Sequence, residues 1–194
     1  MSAAPNFAYA LCTERVRDDE MEGVDLSRWR FALNGAEPVA AATLRKFVAR
    51  FARWGLRPEA LTPVYGLAEA TLAVTFSDWR RPFRVSRFDR DALADGVVVP
   101  AAEGVELVSV GRPLPGVNVA APPDAVGPIR VKGASVMAGY LHQPESTAAT
   151  VVDGWLDTGD LGFFHDGELY VCGRSKDVII LRGRNYVPHE IELV

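Results

Sequence analysis

A predicted β-hairpin near the end of the chain most constrains how this sequence can fold. The stretch from Phe163 to Cys172 consists of an apolar run, an Asp-Gly pair and a second apolar run, a pattern typical of two strands joined by a tight turn. Asp160 precedes the first predicted strand and Arg174 follows the second. Because a hairpin brings its two ends together, we expect this carboxylate and this guanidinium to share one rim of the fold.

The pair of charges has two interpretations. A carboxylate can accept two hydrogen bonds from a vicinal diol, and an arginine offers a rigid fork of donors, so a ribose is a candidate ligand of Asp160 and Arg174. The alternative is an ordinary surface ion pair beside a turn. These two residues alone would favour the ion pair.

Another predicted strand, at residues 61–65, leads to a tyrosine and a glycine. Tyr65 at the turn is expected to expose a ring face on which a base can stack, which contributes about 1–3 kcal/mol in nucleic-acid systems. Gly66 ends the strand, and Glu69 falls in the first turn of a predicted helix. A carboxylate there can hold Mg²⁺, which prefers oxygen ligands and bridges phosphates, or can simply interact with the helix dipole.

Small residues follow a further predicted strand, at residues 29–33. Gly35, Ala36 and Glu37 would let a flat base approach the backbone, and the glycine can take a positive φ. Without further context this is merely a strand-to-helix turn, with Pro38 opening the next helix. The apolar side chains of that helix have the spacing of one helical face: Leu44, Phe47, Val48 and Phe51.

Residues 5–17 have a helical period, and we expect one apolar face to pack into the core. That face holds Phe7 and Leu11, with Ala8 and Cys12 nearby. Residues 77–106 lose regular pattern and read as an expanded segment or a long surface loop, which is unusual at this length.

Short strands with Gly and Pro turns follow at residues 107–141 and predict a small distorted barrel. Residues 178–181 predict a further strand, and residues 187–192 a helix.

Composition narrows the functional classes. The 194 residues are 48% hydrophobic and 24% charged, with a net charge of −4 and mixed signs, which favours a globular chain without a nucleic-acid face. No apolar run reaches the ~20 residues that span a bilayer, and no signal peptide is visible. Neither the two cysteines nor the three histidines have metal-ligand spacing. We expect a cytoplasmic protein with reduced thiols, no nucleic-acid partner and no integral membrane segment.

The motifs together resemble the adenylate-forming (AMP-binding) enzymes: acyl-CoA synthetases, peptide-synthetase adenylation domains and luciferases. They run from Pro63 to Thr71, from Gly154 to Gly162 and from Gly173 to Asp177. Within the superfamily the chain looks most like the fatty-acyl-AMP ligases. The resemblance covers essentially the whole chain and is carried by long, ordered motifs rather than by one short pattern.

The resemblance implies an α/β fold with two parts. Residues 1–175 correspond to the C-terminal part of the large adenylation domain, an αβ layer plus a small distorted β-barrel. An insertion at about 77–106 is expected within it. Residues 176–194 correspond to the hinge and the truncated start of the small C-terminal domain.

The resemblance also implies a role for each motif. Lys176 corresponds to the hinge, and Glu69 to the catalytic metal ligand, with ATP and Mg²⁺ as cofactors. Many relatives carry a threonine just before this glutamate; here Ala68 stands there, as in many fatty-acyl-AMP ligases, and the phosphate contact stays unassigned. Phe7 and Tyr9 correspond to the acyl pocket. The implied nucleotide-binding residues are Gly35, Ala36, Glu37, Tyr65, Gly66, Asp160 and Arg174.

The implied reaction is activation of a fatty acid with ATP to acyl-AMP, for transfer to an acyl-carrier protein or polyketide synthase thiol. In fatty-acyl-AMP ligases the insertion is thought to restrain the small domain and to disfavour coenzyme A. The family's phosphate loop and catalytic lysine have no counterpart in these residues, so we expect the isolated chain to be inactive and to expose apolar surface. An acyl-CoA synthetase fragment and a non-catalytic remnant remain as alternatives.

Overall fold

The computed structural model describes residues 1–177, 179–181 and 184–186. The helix predicted at residues 187–192 lies outside this part of the chain. The helices are α1 (Asn6–Arg15), α2 (Ala41–Phe51), α3 (Arg90–Ala94) and α4 (Pro144–Thr150). The strands are β1 (Ser2–Ala4), β2 (Ala32–Asn34), β3 (Leu61–Tyr65), β4 (Thr75–Phe76), β5 (Val85–Phe88), β6 (Val105–Val108), β7 (Arg112–Pro113), β8 (Val117–Ala120), β9 (Gly127–Gly133), β10 (Val151–Val152), β11 (Trp155–His165), β12 (Glu168–Arg174), β13 (Ile179–Leu181) and β14 (Arg184–Tyr186).

An αβ layer forms the first half of the chain. Its sheet has the order β1-β2-β3-β4-β7, in which β1, β2 and β3 are parallel and the other pairs are antiparallel. Helices α1 and α2 connect the parallel strands, as parallel connections require. Helix α2 buries Leu44, Phe47 and Phe51 in the first core, as its spacing predicted. This layer places the carboxyl ends of β2 and β3 side by side.

Antiparallel strands in the order β10-β11-β9-β8, with β12 paired to β11, form the half-barrel. The predicted hairpin is confirmed: β11 and β12 are joined at Asp166 and Gly167, which both have positive φ, as a tight primed turn requires. The first strand is longer than predicted, because it begins at Trp155 and therefore contains Asp160. The α/β class and the barrel are thus both confirmed.

The segment at residues 77–106 is ordered, so the long-loop alternative is wrong. Strands β5 and β6 pair in antiparallel register on either side of α3. Phe88, from this segment, packs edge-on against Phe163 and Tyr170 of the hairpin, and all three are fully buried in a third core. The segment folds because its apolar partners lie on the hairpin, far away in sequence.

Two further predictions need correction. The strand predicted at residues 29–33 begins only at Ala32, because the N–H of Trp29 donates to the carbonyl of Leu26 in a turn. On α1 the buried residue is Tyr9, whereas Phe7 and Leu11, the predicted core face, are 61% and 48% exposed. Apolar surface is therefore exposed on this helix.

Across the described ranges, no helix combines the length and apolarity needed to cross a bilayer.

Candidate functional site

A cleft of about 750 Å³ lies where the end of β3 faces the hairpin of the half-barrel. It collects residues from segments that are distant in sequence: the end of β3, the 3₁₀ turn Ala68–Ala70, the middle of β11, and the end of β12. Its lining residues include Ala36, Glu37, Tyr65, Gly66, Glu69, Tyr140, Asp160, Arg174 and Lys176.

A bulge in β11 points Asp160 at the cleft. The register between β11 and β9 shifts between Asp157 and Leu161, and Gly159 has a φ of 72°, as expected where an extra residue bends a strand. Side chains satisfy the bulged backbone: the N–H of Asp160 donates to Thr158 Oγ1 at 3.1 Å, and that hydroxyl donates to the carbonyl of Ile129 at 2.8 Å. These hydrogen bonds stabilise the bulge and so fix the position of Asp160.

Asp160 has a partner on each carboxylate oxygen. The hydroxyl of Tyr65 donates to Oδ2 at 2.6 Å, and Arg174 Nε lies 3.4 Å from Oδ1. Burial raises the pKa of Asp160, while the hydrogen bond from Tyr65 and the charge of Arg174 act in the opposite direction. The carboxylate is thus held in a partly desolvated position at the cleft wall, where a hydrogen bond to a charged acceptor is strong.

Tyr65 lines the cleft but exposes only a small part of its surface there. Only 9% of the residue is exposed, and it packs with Val74 and Val110 in the second core. Burial, and next the charge of Asp160, raise its phenol pKa well above the usual range, so the hydroxyl remains a donor. The partner of this hydroxyl, Asp160, lies on a different element of the fold, so no local sequence signal could indicate the contact.

Gly66 lines the cleft for a steric reason. A Cβ on this residue would lie 1.6 Å from the carbonyl oxygen of Leu72. The loop that returns from Gly66 carries positive φ at Thr71 (53°) and Leu72 (77°), both non-glycine residues. This tight, strained turn carries Glu69, which lines the same cleft as Asp160.

Glu69 lies in a short 3₁₀ turn, not in the first turn of an α-helix. The segment after β9 holds this turn at three points. Thr71 Oγ1 donates to the carbonyl of Ser135 at 2.6 Å, the N–H of Met137 donates to the carbonyl of Glu69 at 2.7 Å, and the Tyr140 hydroxyl donates to Glu69 Oε1 at 2.9 Å. The carboxylate raises the pKa of the Tyr140 phenol, chiefly through that hydrogen bond.

Sequence reasoning missed Tyr140 and Thr158. Neither has a local signal: the tyrosine reaches Glu69 across 71 positions of sequence, and the threonine reaches Ile129 across 29. Only the fold brings these pairs together.

Two of the three residues of the glycine-alanine-glutamate motif line the cleft. Ala36 and Glu37 line the cleft, but the positive φ belongs to Ala36, at 69°, and not to Gly35. Gly35 instead allows close approach, because a Cβ there would lie 2.8 Å from the carbonyl oxygen of Val64. Glu37 Oε1 accepts from the N–H of Phe7 at 2.5 Å and so caps α1.

The two acyl-pocket candidates lie away from the cleft. Tyr9 is buried in the first core, edge-on to Phe47, with its hydroxyl donating to the carbonyl of Leu33 at 2.8 Å. Phe7 is exposed on α1. Tyr9 therefore packs in the first core, and neither residue lines this cleft, so their assignment to an acyl pocket stays a prediction. Lys176 is exposed in the 3₁₀ turn Ser175–Asp177, directly after β12, and lines the cleft.

Comparisons with known proteins identify relatives of this chain. The medium-chain fatty acid–acyl-carrier-protein ligase JamA of Moorena producens is 42% identical over 99% of this chain and 36% of its own length. The long-chain fatty acid–AMP ligase FadD26 of Mycobacterium tuberculosis is also 42% identical, over 98% of this chain and 37% of its own. The chain thus spans little more than a third of these relatives.

A solved structure from work on fatty acyl-adenylate ligases of E. coli and L. pneumophila matches the whole chain. Its TM-score is 0.93 at 41% identity, and the match covers 100% of this chain and 37% of that one. The family model described as AMP-binding enzyme matches residues 1–141. The chain therefore belongs to the AMP-binding enzyme family, and its resemblance to fatty-acyl-AMP ligases is confirmed.

Proposed function

We propose that this chain forms the nucleotide-binding wall of an AMP-forming ligase that activates a fatty acid with ATP to give acyl-AMP. One observation carries the proposal: Tyr65, Asp160 and Arg174 meet at one cleft with Glu69 beside them, although they come from separate elements. Asp160 and Arg174 would bind the ribose, and the backbone around Gly35, Ala36 and Glu37 would face the adenine.

The charges of the cleft support a divalent cation in the reaction. Among the described lining residues, acids outnumber bases: Glu37, Glu69, Asp157, Asp160 and Asp177 against Arg174 and Lys176. Phosphates would be repelled unless a cation accompanied them. No group of three or more acidic, histidine or cysteine side chains in the described part of the chain could hold a metal. This fits Mg²⁺, which is often bound through one or two carboxylates plus substrate phosphates.

Glu69 is the residue we assign to Mg²⁺. Its Oε1 accepts the Tyr140 hydroxyl, and Oε2 would be the oxygen offered to the cation. The cation would supply charge neutralisation at the phosphates. Tyr140 would keep the carboxylate oriented, since an unanchored glutamate loses side-chain entropy on binding.

For the product we propose transfer of the acyl group to the thiol of an acyl-carrier protein or polyketide synthase. The similarity to JamA, whose name specifies an acyl-carrier protein, supports this acceptor. Coenzyme A as acceptor is the alternative. Comparing product formation with carrier protein and with coenzyme A, in a protein that includes this segment, separates the two. Because ATP is the substrate, we propose a cytoplasmic location.

We further propose a division at the end of β12. Residues 1–175 would belong to the large domain, with the insertion at about 77–106, and the small domain would begin at 176 with Lys176 as the hinge. The packing of Phe88 against the hairpin supports an insertion that braces the element leading into the hinge. A few backbone dihedrals after β12 can absorb a domain rotation.

Binding of a non-hydrolysable acyl-adenylate analogue to the purified chain tests the proposed function. We expect saturable binding that Asp160→Ala weakens by at least about tenfold, because a charged hydrogen-bond partner of the ribose contributes roughly 1.5–3 kcal/mol. Asp124→Ala is the matched control, since Asp124 is exposed and outside the cleft lining. Equal loss in both variants, or none in Asp160→Ala, would refute the ribose assignment.

A further inference from the structure

The two contacts of Asp160 differ in a way that assigns them different roles. The Tyr65 hydroxyl lies 2.6 Å from Oδ2, and both groups are largely buried: Tyr65 is 9% exposed and the Asp160 side chain 13%. Arg174 Nε lies 3.4 Å from Oδ1, and its side chain is 61% exposed. The Tyr65–Asp160 contact is short and buried, and the Arg174–Asp160 contact is long and exposed to solvent.

Solvated ion pairs contribute little, whereas short hydrogen bonds from a buried donor to a carboxylate contribute more. An incoming ligand will therefore displace Arg174 from Oδ1 before it displaces Tyr65 from Oδ2. The backbone adds to this asymmetry. The N–H of Asp160 donates to Thr158 Oγ1, and the carbonyl of Tyr65 accepts from the N–H of Val74 at 3.0 Å. Both residues are therefore fixed through their backbones.

We propose that Tyr65 is a positioning residue for ribose recognition: its hydroxyl holds Oδ2 of Asp160, so that Oδ1 is the oxygen presented to the diol. The proposal rests on the proposed nucleotide function and deepens it. It adds a role for the phenol oxygen to the stacking expected of the ring. Arg174 occupies Oδ1 until the diol arrives.

The test compares AMP with 2′,3′-dideoxy-AMP, which lacks the diol, as ligands of the 194-residue chain. Affinities are measured by NMR titration for the wild type, Tyr65→Phe and Tyr65→Leu. Tyr65→Phe keeps the ring in the second core and removes only the hydroxyl, and thermal melts confirm that each variant is folded.

For the wild type we expect tighter binding of AMP than of the dideoxy compound. In Tyr65→Phe the affinity for AMP should fall about tenfold, since an ordering hydrogen bond to a charged group is lost. The affinity for the dideoxy compound should stay within about twofold, because that ligand makes no use of Oδ1. A role confined to packing would lower both affinities together, as we expect for Tyr65→Leu.

The possible results separate this inference from the function beneath it. If the wild type prefers AMP and Tyr65→Phe retains the full preference, the positioning role is wrong and the ribose site stands. If the wild type binds both ligands equally, the ribose assignment fails, and if it binds neither, the proposed nucleotide function itself fails.

A second measurement needs no variant. In wild-type protein the Tyr65 hydroxyl proton should give a slowly exchanging resonance that persists when AMP is bound. Its disappearance on saturation would show that the ligand displaces Tyr65, and would overturn the inference.

Discussion

Replacing Gly66 with alanine tests whether the turn beside Tyr65 owes its shape to close backbone approach. The new Cβ would lie 1.6 Å from the Leu72 carbonyl oxygen and 2.7 Å from its carbonyl carbon. Both atoms belong to the backbone, so no side-chain rotation can relieve the overlap. Gly66 or Leu72 must therefore move.

The loop has little freedom to move. Thr71 and Leu72 are already in the left-handed region, and two backbone hydrogen bonds enclose the turn: Leu72 N–H to the Leu67 carbonyl and Val74 N–H to the Tyr65 carbonyl, each 3.0 Å. Overpacking costs about 1–3 kcal/mol, and each lost hydrogen bond about 1 kcal/mol net. We expect Gly66→Ala to lower the free energy of unfolding by at least about 3 kcal/mol.

Urea unfolding followed by circular dichroism measures this change, with Gly116→Ala as the matched control. Gly116 has a φ of 81° but nothing within 4 Å of an added Cβ, so its substitution should cost only the backbone penalty, about 1–2 kcal/mol. If Gly66→Ala is no more destabilising than Gly116→Ala, the close approach does not determine the turn.

Three further predictions concern titration, packing and catalysis. Burial raises the folded-state pKa of Asp160 above its unfolded value. The stabilising contribution of the protonated carboxyl is therefore complete below the unfolded pKa and is lost as pH rises through the folded pKa. The difference in unfolding free energy between wild type and Asp160→Asn should grow in favour of wild type as pH falls. Arg45 lowers the folded-state pKa of Glu106, so the stabilising contribution of this carboxylate is lost as pH falls through that pKa. The stability advantage of wild type over Glu106→Gln should therefore shrink as pH falls, measured by the same series of urea unfolding curves. Phe163→Ala should cost about 3–5 kcal/mol of unfolding free energy, whereas Phe7→Ala, on an exposed site, should stay within about 0.5 kcal/mol; equal costs would contradict the assigned cores. The isolated chain should show no ATP–pyrophosphate exchange with long-chain fatty acids, and robust exchange would contradict the need for the phosphate loop and lysine that the family resemblance implies.

Local signals predicted the parts of the fold that depend on neighbours in sequence. Asp166 and Gly167 specify the hairpin because their positive φ values close a tight turn. The spacing of Leu44, Phe47 and Phe51 predicted the buried face of α2 for the same local reason. These elements need no distant partner to be recognised.

Predictions of burial failed where residues distant in sequence determine which side chains are covered. Phe88 lies in a segment without visible pattern, yet it is fully buried because the hairpin supplies Phe163 and Tyr170. Phe7 shares an apolar helical face with Leu11, but α2 packs against the opposite side of α1, where the buried Tyr9 meets Phe47. A helical period gives the faces of a helix but does not say which face the rest of the chain covers.

The candidate site follows the same rule. The motifs located Asp160, Arg174 and Glu69, and the structure brings all three to the cleft. The sequence could not indicate that Tyr65 turns its hydroxyl to Asp160, 95 positions away, or that Tyr140 reaches Glu69. Side-chain partners at such separations depend on the whole fold.

A structure of the chain bound to AMP or to an acyl-adenylate analogue tests the central claim most directly. We expect the ribose hydroxyls within hydrogen-bonding distance of Asp160, with Tyr65 still on Oδ2 and Arg174 moved away from Oδ1. A nucleotide bound elsewhere, with the Asp160–Arg174 pair intact, would contradict it.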